Sequence, residues 1–303
     1  AHADCRPGCH QAGGRENQAA LVKGGSVKKI YIMTDAEGVA GVMNSLDWCY
    51  ANGRYFDVCR ELLTFEVNAA IEGFAAAGAV EFLVHDGHGG AIDPLRLDER
   101  AELMRGMPQG YPYLLDRTFD AIAWVGQHAM SRTEYAHLAH TGSMAKFEYT
   151  INGTPVGEFG QLAMCASELG VRSIFGSGDR AFCSEAGALV PGIEAVEVKR
   201  GITPGRGDEC DAAQYAARNT SAIHIHPVRA RKLIRAGAER AVRRAAGEPF
   251  GIIPLKPPFE MIKHYRPNGA NPATTLTGSH PTSIIALLKA IPIDPPRVDK
   301  GKS

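Results

Sequence analysis

The sequence has no apolar run long enough to cross a bilayer: stretches such as 121–125 and 284–288 fall far short of the roughly 20 residues a spanning helix needs. No charge of one sign dominates either. Thirty-three basic side chains face 33 acidic ones, a formal net charge of +0, so there is no general attraction to phosphate backbones or anionic lipid. Nucleic acid and membranes are not expected partners. The seven cysteines (Cys5, Cys9, Cys49, Cys59, Cys165, Cys183 and Cys210) form no CxxC pair, and an odd, scattered set in a chain this long does not read as a disulfide framework. A reducing, cytoplasmic setting is expected. Ala1-His2-Ala3 resembles what precedes a signal-peptidase cut, which leaves a secreted or periplasmic setting open. Internal repeats are absent. Cys5, Cys9 and His10 sit in a Gly-rich polar tail and read as incidental, so residues 1–27 are taken as an N-terminal appendage.

What is present is an ordinary globular composition, 45% hydrophobic and 22% charged, over 303 residues, enough for one large domain or two smaller ones. KKIYIMTD reads as a short buried strand. Residues 54–77 then carry Phe56, Cys59, Leu63, Val67, Ala70 and Phe74 at steps of three and four, an amphipathic helix. AVEFLVHD resumes as a strand, a looser helical stretch is expected around 97–105, and FDAIAWVGQH is a third strand. This alternation predicts an α/β fold: a largely parallel sheet flanked by helices. KFEYTIN followed by Asn152-Gly153 predicts a β-hairpin excursion. Beyond it come a helix over 158–169, a strand in VRSIFGS, a helix over 179–188 and a strand in IEAVEVK. Residues 201–222 read as an insertion or linker between a catalytic domain at 28–200 and a smaller C-terminal α+β part at 223–303 that completes the active-site wall. Within that part, 228–246 is a basic helix with a solvated face, EMIKHY a strand and TSIIALLKAI a helix.

The candidate chemistry lies at strand ends. Asp35 and Glu37 follow the first strand two residues apart, so in extended chain both carboxylates leave on one side. His85 and His88 close the second strand, and His128 closes the third. Parallel strands bring their carboxyl ends to one edge, where open α/β sheets bind ligands. Carboxylates and imidazoles without thiolate suit zinc, and also manganese or iron; two of each suit a bridged metal pair better than one open ion. Glu158, at a helix start after Gly157, is a candidate fifth ligand.

These segments, YIMTDAEGVAGV, RELLTFEVNAAIEGF, FLVHDGHGG, WVGQHAMSRT, INGTPVGEFGQ and GSGDRA, follow one another as in the zinc-dependent D-aminopeptidases of the DppA type, which the chain resembles over residues 28–233. The resemblance implies a metallo-aminopeptidase with two Zn2+ per chain that acts on short peptides with D-amino acids at the N-terminus and assembles as a homo-oligomer, a ring-like decamer. It implies that Asp35 bridges the metals, that Glu37 and His88 complete one site and His128 and Glu158 the other, and that His140 is the catalytic histidine. Spacing alone does not separate His140 from His137. His85 has no metal role in the pattern and is expected at the pocket or behind the ligands. The segment between His128 and His140 is one residue longer than the family pattern, which alters the expected pocket wall.

Three other readings compete. The site also suits a two-metal hydrolase of another amide or of a phosphoester. Gly176-Ser177-Gly178-Asp179-Arg180-Ala181 fits G-x-G-x-x-A with Glu197 beyond it, as in a dinucleotide-binding protein, and a non-catalytic assembly protein is the third alternative.

Overall fold

Lys29–Thr34 has four consecutive apolar residues, Ile30 to Met33, and is buried along almost its whole length, as suits a strand covered on both faces. In the computed structural model, which describes residues 25–107 and 110–290, this strand (β1) lies inside a seven-stranded sheet. It is followed by α1 (Ser45–Trp48), α2 (Phe56–Ala76), β2 (Glu81–Asp86), β3 (Ala101–Arg105), β4 (Ala121–Gln127), β5 (Lys146–Ile151), β6 (Thr154–Pro155), α3 (Glu158–Leu169), β7 (Arg172–Asp179) and α4 (Arg180–Leu189). The remainder comprises β8 (Glu194–Gly201), α5 (Ala212–Arg218), β9 (Ala222–His224), α6 (Pro227–Gly247), β10 (Phe259–Tyr265), β11 (Thr274–His280) and α7 (Ile284–Ala290). Cys5, Cys9 and His10 lie outside the described residues.

The sheet runs β3-β2-β1-β4-β7-β8-β9, parallel throughout except for the β8–β9 pair. The α/β class read from the sequence is therefore the one adopted. Alternate residues of each strand go to opposite faces. Ile30 and Ile32 pack in one cluster with α2 and α6, while Tyr31 and Met33 pack in the other with α3, α4 and α7. On α6 the small apolar residues Ala230, Ile234, Ala238 and Ala241 are buried, and its arginines turn outward to Glu72, Glu194, Glu239 and Glu248. The basic run is a solvated face, and among the described residues no helix is long and apolar enough to cross a membrane.

The hairpin forms as expected. Asn152 and Gly153 both have positive φ, 49° and 75°, which a two-residue hairpin turn requires. β10 and β11 then extend the hairpin into a four-stranded antiparallel sheet, β11-β10-β5-β6, and α7 packs on α3.

Two local expectations are corrected. The stretch around 97–105 contains no helix; Ala101–Arg105 is β3, paired in parallel with β2 at the sheet edge. Its Ala, Glu, Leu and Met are good helix formers, but the open edge of β2 offers backbone partners that outweigh that preference. β11 was not expected at all, because TTLTGSH is polar and mostly exposed. The stretch 201–222 is also structured, with α5 closed by a reciprocal cap between Asp211 and Gln214.

Candidate metal centre

β1 lies between β2 and β4, so the strand order reverses direction at the β1/β4 boundary, where α/β sheets open a crevice beyond their carboxyl ends. Asp35 and Glu37 leave β1 there, His88 follows β2 and His128 follows β4. The two central strand ends approach closer than side chains allow. A Cβ on Gly126 (φ +79°) would lie 2.0 Å from the Asp35 carbonyl oxygen, and one on Gly38 would lie 2.1 Å from that of Gln127. Only glycine fits at either place.

The carboxylates and imidazoles converge as the sequence led one to expect. His88 Nε2 is 3.0 Å from Glu37 Oε2 and 4.0 Å from Asp35 Oδ1. His128 Nε2 is 3.2 Å from Asp35 Oδ2 and 3.6 Å from Glu158 Oε1. Glu158 opens α3, with Gly157 as its N-cap, and its Oε1 accepts a hydrogen bond from the Gly142 N–H at 2.6 Å. Asp35, Glu37 and His128 form one group able to hold a cation, and His128, His140 and Glu158 form another.

The donor chemistry fits a metal. His128 Nδ1 lies 2.8 Å from the Ala129 carbonyl, which can only accept, so Nδ1 carries the proton and Nε2 presents a lone pair to two carboxylates. That Nε2 is buried with no hydrogen-bond partner among the described residues. Lone pairs facing carboxylate oxygens in a buried site repel unless a cation lies among them.

The electrostatics agree. Burial, with the nearby Glu37 and Glu158, holds Asp35 well above the usual carboxylate range. Burial pushes Glu37 up as well, but the bonded imidazole of His88, helped by His140 and His128, outweighs it and leaves Glu37 well below that range. Burial acts to lower His88, yet Glu37 and Asp35 raise it well above the ordinary imidazole value. Glu158 is likewise pushed up by burial and brought below its ordinary value by His128, His140 and the Gly142 N–H.

Structure separates the two histidines that spacing could not. His137 is fully buried with Nε2 on the Met43 carbonyl at 3.1 Å, and burial with the Lys199 charge lowers its pKa to about 2. His140 is at the site: its ring stacks on His128 and its Nε2 is 3.7 Å from Glu158 Oε1. Its Nδ1 is taken by the Leu138 carbonyl at 2.9 Å. His85 stands behind the cleft, bonded to Tyr31 and the Gly106 carbonyl and against the ring of Tyr113, which lines the cleft.

Several supporting groups lie outside the candidates that the sequence offers. Gln127 donates from Nε2 to Asp35 Oδ2 at 2.8 Å. Glu185, on α4, accepts from the Met130 and Gly157 N–H groups at 2.7 and 3.3 Å, tying the segment after His128 to the start of α3. Gln127 adjoins a candidate ligand, which is a signal; nothing local marks Glu185. The G-x-G-x-x-A stretch is built into the sheet and the start of α4. Gly176 and Gly178 lie inside β7, a Cβ on Gly178 would fall 1.8 Å from the Gln127 carbonyl oxygen, and Asp179 caps α4 through the Phe182 N–H. Gly178 admits the neighbouring strand and Gly176 the ring of Phe182, where a dinucleotide fold would admit a phosphate.

Comparison with known proteins agrees with this picture. The model of the D-aminopeptidase family matches residues 28–280. The D-aminopeptidase of Bacillus subtilis (strain 168) is 28% identical over 179 residues, which are 58% of this chain and 65% of that protein. The aligned part thus spans just under two thirds of the relative. The structure of the Zn-dependent D-aminopeptidase DppA from Bacillus subtilis, a self-compartmentalizing protease, matches with a TM-score of 0.74 at 21% identity, over 86% of this chain and 95% of the other, and so shares its fold. Since the family match runs through every strand-end residue from Asp35 to Glu158 and on into the C-terminal strands, this chain belongs to the D-aminopeptidase family of peptidases.

Proposed function

We propose that the protein is a two-zinc aminopeptidase that hydrolyses short peptides, preferring a D-amino acid at the N-terminus. The observation that carries this reading is the attitude of Asp35. Its Oδ1 faces His88 and its Oδ2 faces His128, so one carboxylate addresses two donor sets at once. Asp35 would bridge the ions, Glu37 and His88 would complete one site, and His128 and Glu158 the other. When bound, zinc lowers the pKa of a water and polarises a scissile carbonyl.

The chain's own groups do the rest. His140 is kept mostly neutral near pH 7 because burial, and then the neighbouring His128, lower its pKa. Its proton-bearing Nδ1 is fixed on a carbonyl, so Nε2 is the atom that takes a proton and returns it to the leaving amine. Gln127 holds Asp35 in place, and the Gly142 N–H does the same for Glu158. The cleft beside these residues has a volume of about 710 Å³ and apolar walls from Met33, Trp124, Tyr149 and Leu162, a size and lining that suit a small peptide. Family membership supports the D-preference.

The test is metal stoichiometry together with hydrolysis of D-Ala-D-Ala against L-Ala-L-Ala on one sample. Two zinc per chain with D-selective release of alanine is expected. Two metals without D-selectivity would keep the site and move the substrate; no metal and no turnover would end the reading. A second arrangement has a specific basis, since His140 shares a cation-sized group with His128 and Glu158 and so could itself ligate.

Assembly into a homo-oligomer, with a ring-like decamer as the form the resemblance implies, belongs to the same proposal. Exposed apolar side chains of Met43, Leu46, Tyr50 and Val58 support it. Sedimentation velocity distinguishes a decamer from smaller forms. Cys49, Cys59, Cys165, Cys183 and Cys210 are unbridged, which supports a reducing, cytoplasmic setting.

A further inference from the structure

Gln161 lies three residues after Glu158 on α3, and residues three apart share a face of a helix; both side chains line the cleft. Gln161 is only 6% exposed, and the two ends of its carboxamide are treated differently. Oε1 accepts from the Tyr111 hydroxyl at 3.0 Å, whereas Nε2 makes no hydrogen bond among the described residues. Trp124 Nε1, also in the cleft wall, is sealed off from solvent without a partner; Gln161 Nε2 is not sealed off, so it opens on the cleft.

Tyr111 is itself fixed. Its ring lies against that of Tyr113, with centres 4.6 Å apart, and Tyr113 lies against His85, which is bonded to Tyr31 inside the sheet. Burial, and then Tyr113, push the Tyr111 phenol up, so it keeps the proton that it donates. With Oε1 held by that proton, the amide cannot turn over without losing the bond, and its NH2 stays towards the cleft. Around this position α3 is apolar and buried, through Phe159, Leu162, Ala163 and Cys165. A carboxamide there is costly unless both of its ends are bonded, and only one is.

The amide nitrogen can only donate, so its ligand is an acceptor. On the amino side of a scissile bond an aminopeptidase substrate offers an amine and the scissile carbonyl, which the reading above assigns to the metal pair. The first other acceptor is the carbonyl of the second residue, one Cα step of about 3.8 Å along the peptide. Side chains three apart on a helix leave Cβ atoms about 5–6 Å apart, a separation of the same order.

We propose that Gln161, oriented by Tyr111, binds the carbonyl oxygen of the substrate's second residue and so selects peptides over simple amides of D-amino acids. The inference rests on the aminopeptidase reading above. A neutral donor accepts a peptide carbonyl, a terminal carboxamide or a terminal carboxylate alike, so dipeptides and longer peptides both satisfy it.

The experiment compares D-Ala-D-alaninamide with D-alanine isopropylamide, which keeps the scissile bond and the branched carbon but has a methyl group in place of the carboxamide. Both are assayed on the zinc-loaded full chain as wild type, Gln161→Met and Tyr111→Phe. The quantity read is the ratio of kcat/KM for the two substrates in wild type, divided by that in each variant, so that the intrinsic reactivity of the two amides cancels. Gln161→Met is expected to lower the ratio about tenfold, mostly through KM, because the contact lies away from the bond that breaks. Tyr111→Phe, which frees the amide to turn, is expected to lose part of the same preference. Zinc content and melting temperature accompany each variant. An unchanged ratio in folded, zinc-loaded Gln161→Met would overturn the contact while leaving the aminopeptidase intact. Calorimetry on wild type, with uncleavable analogues in which a methylene replaces the scissile carbonyl, gives a readout without turnover and decides even if a variant fails to fold: the analogue bearing the carboxamide is expected to bind about tenfold more tightly, and equal binding would overturn the contact. A zinc-loaded wild type that cleaves neither substrate would overturn the aminopeptidase reading and this contact with it.

Discussion

The imidazole of His140 lies nearly flat over that of His128, with ring centres 4.0 Å apart and planes at 15°. Each ring spends its Nδ1 proton on a backbone carbonyl, so both turn Nε2 towards Glu158. Two stacked imidazoles with the same tautomer can divide the work of holding a cation and moving a proton.

His140→Ala is therefore expected to keep two zinc per chain and lose about 10²- to 10⁴-fold in kcat, the usual worth of a positioned acid/base. Zinc analysis on the purified variant, with kcat on D-Ala-D-Ala, checks it. Loss of a zinc would make His140 a ligand.

For Asp35→Ala the expected outcome is loss of both zinc ions together and of all measurable turnover, because one carboxylate faces both donor sets. Elemental analysis reads the result. A variant that retains one ion tightly would remove Asp35 from the bridge.

Gln127 has a quieter part. Its amide orients Asp35, so Gln127→Leu is expected to weaken zinc binding about 10- to 100-fold while leaving the fold unchanged. Competition with a graded series of chelators measures the affinity, and circular dichroism the fold. Unaltered affinity would show that Asp35 needs no such support.

Glu66 should give the protein a pH-dependent stability. It is buried on α2, with Oε1 accepting from the Ala40 N–H at 3.0 Å, and burial raises its pKa from 4.5 to about 7 against the opposing pull of Ala40, Lys199 and Arg231. The folded state thus keeps a proton that the unfolded chain releases. Its contribution is fully present below pH 4.5 and is lost as pH rises through about 7, a change of about 3 kcal/mol. Glu66→Gln lacks this loss, so denaturation of metal-free protein from pH 4.5 to 8 should show the variant gaining on wild type. A constant difference would mean that Glu66 ionises normally.

Much of the fold and of the candidate site is legible in the sequence. Buried parallel strands announce themselves as short apolar runs, and KIYIMT and AIAWVGQ are both such runs. The ligand candidates were legible because the chemistry of a strand end is local: Asp35, Glu37, His88 and His128 each follow a recognisable strand. His140 was different. It sits in an irregular loop with positive φ at Arg132, Tyr135 and Leu138, where no periodicity tells one histidine from another, and only the family resemblance singled it out. Edge strands were the other blind spot, since β3 and β11 are defined by the partner each finds rather than by their own residues. Lys146 and Lys263 look like ordinary polar positions until the register of β5 with β10 puts them on one face.

The pairing of β5 with β10 has a consequence for how the site is built. β5 leaves the ribosome long before β10, yet the cleft wall holds residues from both strands and from α7. The strand ends around Asp35 and His128 are therefore only part of the site. The ligand end of the cleft and its far wall are thus supplied by segments far apart in the chain, so a truncation that spared every candidate ligand would still remove the pocket.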